Sequence, residues 1–174
     1  MLLDFFNTVV ELKRIPRRGW KEKLDLKNTE SVADHSYNAA VIAMVLSDLK
    51  ELDTEKILKM TLLHDISESV TGDFTPEEIS KKDKQVLEDK TVLNILSKLP
   101  SKLASEYVLI WKEYQDRDSS ESILVHEIDR LEMVLQASKY RDEGYSRDKL
   151  ETFFSAARKE IKNKEVLEIL DKIL

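Results

Sequence analysis

The sequence predicts an all-α single domain, from three observations. Apolar residues recur at helical spacing along nearly the whole chain. No alternating β-branched run is bounded by Asn-Gly or Asp-Gly turns, so strand signatures are missing. The length, 174 residues, accommodates one domain with a substantial core and is short for two. With no internal repeat or low-complexity linker, the domain is expected to span 1–174.

Taken in order, residues 2–13 carry Leu3, Phe6, Val9, Val10 and Leu12 on one helical face. A helix over 33–49 follows, with Ala39, Ile42, Ala43, Leu46 and Leu49 as its expected buried stripe. Thr54 is expected to cap a helix that holds Ile57, Leu58, Leu62 and Leu63 and runs to about 68. Thr75-Pro76-Glu77-Glu78 reads as an N-cap, a first-position proline and a capping-box glutamate. The helix it opens carries Val86, Val92 and Leu96 and stops at Pro100. Further helices are expected over 101–116, 119–143, 146–162 and 164–173. Two stretches lack the pattern and read as loops: 14–30, with Pro16, Gly19 and Trp20, and 69–74, with Gly72 and Asp73. Two of the chain's three glycines lie there, and loops on a rigid helical scaffold tend to carry sites.

Composition narrows the class. Apolar residues make up 41% and charged residues 36%, with a formal charge of −6. Such a chain lacks the clustered Lys and Arg that a nucleic-acid polymer demands, although a local basic pocket for one phosphate stays open. The absence of cysteine excludes disulfides, thiolate metal sites and a cysteine nucleophile. The first residues meet Asp4 early and lack a signal-peptide layout, and no run approaches the roughly 20 apolar residues of a membrane span. A cytoplasmic protein without membrane contact is expected.

The chemistry-bearing residues are few. His64 and Asp65 end the apolar stretch Met60-Thr61-Leu62-Leu63, where both cost free energy unless paired or ligating a metal. Glu68 lies one turn further on the same surface. His35 stands near the start of another helix, and Asp129 sits between Ile128 and Leu131 of a third. Two imidazoles with two carboxylates suit a borderline divalent ion such as Mn, Co, Zn, Fe or Ni. Spacing leaves the ordinary readings open: Asp129 as the ion partner of Arg130, and His35 as a helix N-terminal residue after Asp34.

A resemblance adds to this. Ser31-Val32-Ala33-Asp34-His35-Ser36, Leu63-His64-Asp65-Ile66-Ser67-Glu68, Thr71-Gly72-Asp73 and Glu127-Ile128-Asp129 together resemble the HD-domain metal phosphohydrolase superfamily. Leu12 to Trp20 and Thr29-Glu30-Ser31-Val32 bring the sequence close to its 5′-deoxynucleotidase family, over about residues 5–140. The resemblance implies a helical bundle of the HD type in which His35, His64, Asp65 and Asp129 ligate one divalent metal. Glu68 and Asp73 match the family's catalytic carboxylates, and Arg17 its substrate arginine, with Arg18 as the alternative register. Trp20 would pack on the sugar and favour deoxyribose over ribose, or else anchor the loop. His126 departs from the lysine that related sequences carry one turn before the last ligand.

The expected activity is therefore hydrolysis of deoxyribonucleoside 5′-monophosphates by a metal-activated water. The rivals are hydrolysis of di- or triphosphates or guanosine tetraphosphate by the same type of centre, and a non-catalytic helical binding module stabilised by its metal. A two-metal phosphodiesterase would need more histidines than the three present. The resemblance also implies a homodimer, for which the apolar helices after residue 100 are a candidate interface.

Overall fold

The computed structural model describes residues 2–75 and 77–174, and among them ten α-helices and no sheet. They are α1 (Leu2–Glu11), α2 (Arg18–Leu24), α3 (Val32–Leu49), α4 (Thr54–Leu63), α5 (Glu68–Thr71), α6 (Lys81–Leu96), α7 (Ser101–Asp116), α8 (Ser120–Asp142), α9 (Arg147–Glu160) and α10 (Lys164–Ile173), with a 3-10 turn at Leu12–Arg14. None is long and apolar enough to cross a membrane.

Helix α8 is the spine. Its 23 residues extend about 35 Å at 1.5 Å each, and it touches α3, α4, α7, α9 and α10. Leu124, Val125, Ile128, Leu131, Val134 and Ala137 are buried along it at helical spacing. Helices α3 and α4 pack on α8 and on each other, so three helices meet in a triangle. Each is started by its own chemistry. Ser31 and Asp34 form a complete capping box for α3, Asp53 accepts from Lys56 N for α4, and Ser119 accepts from Ser122 N for α8.

Several expected boundaries shift. The stretch 14–30 is not all loop: α2 forms there because Trp20 and Leu24, four residues apart, bury one side of two turns. That signal is too short to show as periodicity, and Asp25 in the left-handed region ends it. The helix expected over 54–68 stops at Leu63, and the separate helix α5 (Glu68–Thr71) runs into the stretch 69–74 expected to be loop. Its cap is Asp53 rather than Thr54. The helix expected from Thr75 begins only at Lys81, capped by Ser80. Glu78 does reach back to Thr75 N at 3.0 Å, but this closes an isolated turn; the proline expected at the first helical position, Pro76, lies outside the described residues. On α1 the inward side is Phe5 and Val9, continued by Leu12 of the 3-10 turn, leaving Leu3, Phe6 and Val10 exposed, and Leu49 of α3 is exposed too.

Candidate metal centre

One residue group from each helix of the triangle converges. His35 lies one turn into α3, His64 caps the C-terminus of α4 with Asp65 after it, and Asp129 lies midway along α8. The two imidazole Nε2 atoms stand 3.3 Å apart. His35 Nε2 is 3.3 Å from Asp129 Oδ1 and 3.7 Å from Asp65 Oδ2, and His64 Nε2 is 3.2 Å from the same Asp65 oxygen. Ligand atoms held at 2.0–2.2 Å from one ion lie about 3.0–3.5 Å apart, so this spacing fits a shared cation.

The hydrogen bonds behind the rings sharpen that fit. His64 Nδ1 donates to the carbonyl of Thr61 at 2.6 Å, because a carbonyl only accepts. His35 Nδ1 faces the Glu132 carboxylate in the same way. Both Nε2 lone pairs therefore point at each other, an arrangement that only a proton or a metal ion between them relieves. Asp65 Oδ2, buried at the same point, has no hydrogen-bond partner. Electrostatics report the same demand for positive charge. Burial and Arg17 oppose protonation of His35, yet bonding to Asp129 and Glu132 raises it to about 10. Burial works against ionised Asp65 and Asp129, but their histidine and arginine neighbours hold both well below the usual carboxylate range.

Around this cluster stand the other expected residues. Glu68, at the start of α5, is buried, with Oε2 unpartnered and Oε1 3.8 Å from Lys84 Nζ. Burial, then Asp65 and Asp73, push its carboxyl well above the ordinary value. Asp73 follows Gly72, whose φ of 77° a side chain would strain; its Oδ2 accepts from Arg18 N at 2.7 Å. Arg17 enters the site, with Nη1 3.6 Å from Asp65 Oδ2. Burial opposes its charge, and Asp65, Glu68, Asp73 and Asp129 more than compensate. An antiparallel bridge between Pro16 and Ser31 aims it, with Arg17 N donating to the Glu30 carbonyl at 3.0 Å and Val32 N to that of Ile15 at 2.9 Å.

Two further residues named as substrate contacts, Arg18 and Trp20, have side chains outside this cluster. The Arg18 side chain turns outward to Glu78 at 2.6 Å and Glu22 at 2.9 Å, so only its backbone serves the site. Trp20 is 2% exposed, with its ring against Phe153 at 4.2 Å and Tyr140 at 5.4 Å, and its N–H donates to Glu30 at 2.8 Å. It anchors the loop to the core, because an indole with apolar neighbours on offer buries its large ring. His126 stacks on Tyr114 at 4.0 Å and donates from Nε2 to its carbonyl at 2.9 Å. Burial lowers it to about 4, so it is neutral near pH 7 and supplies no cation for a phosphate.

Lys84 and Glu132 escaped the sequence reading, and Glu30 entered it only within the motif Thr29-Glu30-Ser31-Val32, with no role. Lys84 lies 3.4 Å from Glu88 as well as near Glu68, a second cation facing the acidic cluster. Its stretch Lys81-Lys82-Asp83-Lys84 looks like any solvated helix start. Glu132 had a signal, as a carboxylate inside Leu131-Glu132-Met133-Val134-Leu135.

A family model described as HD domain matches residues 9–170. The human 5′-deoxynucleotidase HDDC2 is 34% identical over 173 residues, covering 99% of this chain and 84% of that protein. The protein of the same name from Dictyostelium discoideum is 37% identical over 167 residues, covering 90% and 87%. In structure, the chain is similar to the PH0347 protein from Pyrococcus horikoshii OT3, known from a crystal structure, with a TM-score of 0.81, 32% identity and coverage of 98% and 97%.

Proposed function

The chain belongs to the HD-domain family, and from that premise we propose that it is a metal-dependent 5′-deoxynucleotidase, releasing phosphate from deoxyribonucleoside 5′-monophosphates. The observation that carries the chemistry is the meeting of His35, His64, Asp65 and Asp129 around one point, with Glu68 and Arg17 beside it. The substrate class rests on what the similar proteins are called.

His35 and His64 would hold one divalent ion (Mn, Co, Zn, Fe or Ni) with Asp65 and Asp129. When bound, the ion supplies an acidified water and neutralises phosphate charge. The chain's own groups do the rest. Arg17 presents a guanidinium fork to the phosphate oxygens, and Lys84 adds a point charge on the α6 side. Burial, then the neighbouring carboxylates Asp65 and Asp73, raise the Glu68 carboxyl above its ordinary value, and its place beside the cluster lets it exchange a proton with the water or the departing 5′ oxygen. Asp73, fixed by the Arg18 N–H, would stand near the substrate sugar or the leaving oxygen. We propose further that the enzyme acts in the cytoplasm on free nucleotides and as a homodimer.

The test is phosphate release from a panel of deoxyribonucleoside and ribonucleoside monophosphates under each metal. Glu68→Ala is expected to keep its metal and lose about 10²–10⁴-fold in rate. Unchanged turnover in that variant would remove Glu68 from the chemistry. No turnover on any nucleotide would favour a metal-stabilised binding module.

A further inference from the structure

We propose that Glu132 is a positioning residue of the metal centre: its carboxylate holds His35 with Nε2 facing the ion, and Glu30 with Trp20 ties that hold to the loop bearing Arg17. This rests on the reading of His35 as a metal ligand.

Glu132 lies one turn beyond Asp129 on α8 and is 2% exposed. One of its oxygens faces His35 Nδ1, and the other receives Asn38 Nδ2 at 3.4 Å. No lysine or arginine pairs with it among the described residues. A buried carboxylate without a basic partner is costly unless something else supplies the charge. Here the charge comes through the imidazole: the carboxylate accepts from Nδ1–H, which makes Nε2 a stronger donor to a cation on the far side. Asp129 and Glu132 thus work as a pair three residues apart on one helix, one beside Nε2 and one beside Nδ1 of the same ring. A glutamine would satisfy the same geometry but not the charge.

Behind them stands a second acid. Glu30, His35 and Glu132 each present an atom within 4.8 Å of the others. Glu30 Oε1 takes the Trp20 N–H, and its Oε2 is buried without a partner. Glu30 also belongs to the segment that clips Arg17 in place, through its carbonyl and Arg17 N, and immediately precedes the Ser31 cap of α3. Glu30 is thus hydrogen-bonded to the core-locked Trp20 ring on one side and stands within 4.8 Å of the carboxylate–histidine pair on the other, without a hydrogen bond to that pair. In this proposal Trp20 acts on the centre by fixing Glu30 there rather than by touching a sugar.

The experiment compares Glu132→Ala, Glu132→Gln and Trp20→Phe with wild type, by titrating Mn and Co against a competing chelator and measuring metal-free melting temperature alongside. Glu132→Ala is expected to weaken metal affinity 10- to 100-fold. Glu132→Gln should recover part of this, and Trp20→Phe should lose several-fold while retaining the packed ring. Should the alanine variant fail to fold, the isosteric glutamine variant carries the measurement. Affinities within twofold of wild type for both Glu132 variants, whatever their melting temperatures, would overturn the proposal. A wild type that binds no divalent ion overturns it together with the metal-centre reading. A wild type whose metal affinity depends on Glu132 but which hydrolyses no nucleotide leaves Glu132 in place and removes only the substrate assignment.

Discussion

Arg17 and Arg18 are neighbours in the chain, yet only one guanidinium enters the centre. The Pro16–Ser31 bridge fixes the backbone at Arg17, and α2 begins at the next residue, so the second side chain leaves on the opposite side. Arg17→Ala is therefore expected to raise KM for a deoxyribonucleoside monophosphate at least tenfold, about 1.4 kcal/mol or more, while Arg18→Ala stays within about twofold. Steady-state kinetics on the two variants decide this, and the reverse order would reassign the register. Sequence alone left the register open because both arginines precede the same Gly19-Trp20. His126 supports a second prediction. Its folded value of about 4 lies below the ordinary 6.5, so the unfolded chain binds the extra proton first as pH falls. Its contribution is thus present above about pH 6.5 and lost as pH drops towards 4. Allowing for its half-buried position, this is worth roughly 2 kcal/mol. Urea denaturation at pH 7 and 4.5 should show a smaller loss in His126→Gln than in wild type; equal losses would remove His126 as the cause.

At the scale of elements, the site depends on where helices start and stop. Helix α4 ends at Leu63, and His64 at its C-cap and Asp65 in the turn that follows reach the same point. The sequence showed the pair as polar groups closing an apolar run, which is why it was legible. What it did not show was the break itself: Ile66 is buried like the residues before it, and the spacing of apolar side chains continues through the turn. Helix α3 is the clearer case, since Ser31 and Asp34 announce its start and His35 follows at once. Ser31 Oγ accepts from Asp34 N at 3.2 Å, and Asp34 Oδ2 accepts from Ser31 N at 2.8 Å. Ser31→Ala is expected to cost about 1 kcal/mol in urea denaturation. It should also weaken metal binding, because the first turn of α3 positions His35. A variant that keeps full stability would show that the bridge to Pro16, rather than the cap, sets the helix start.

For the whole molecule, the informative surface is apolar and lies away from the centre. Residues 35–47 contain no Asp, Glu, Lys or Arg, in a chain that is 36% charged. Half of that helix packs inward, and the other half leaves Tyr37 68% exposed and Leu49 76%, with Val41, Met44 and Val45 between them. Positions 37, 41, 44 and 45 repeat at helical spacing, so they form one stripe. Helices α7 to α10, the expected interface, expose only Leu109 and Ile123 among large apolar side chains of the described residues. Two copies of charge −6 repel over most of their surface, and an uncharged stripe is where they can approach. A helix face set against its own copy about a two-fold axis satisfies both sides with one sequence, by ridges into grooves. The prediction that follows is that the proposed homodimer forms through α3. Light scattering should give twice the chain mass for wild type and a single chain mass for a Met44→Glu, Val45→Glu variant. Because His35 faces the opposite side of α3, that variant should keep its metal and turnover. A monomeric wild type at micromolar concentration, or a double variant that remains dimeric, would refute α3 as the contact.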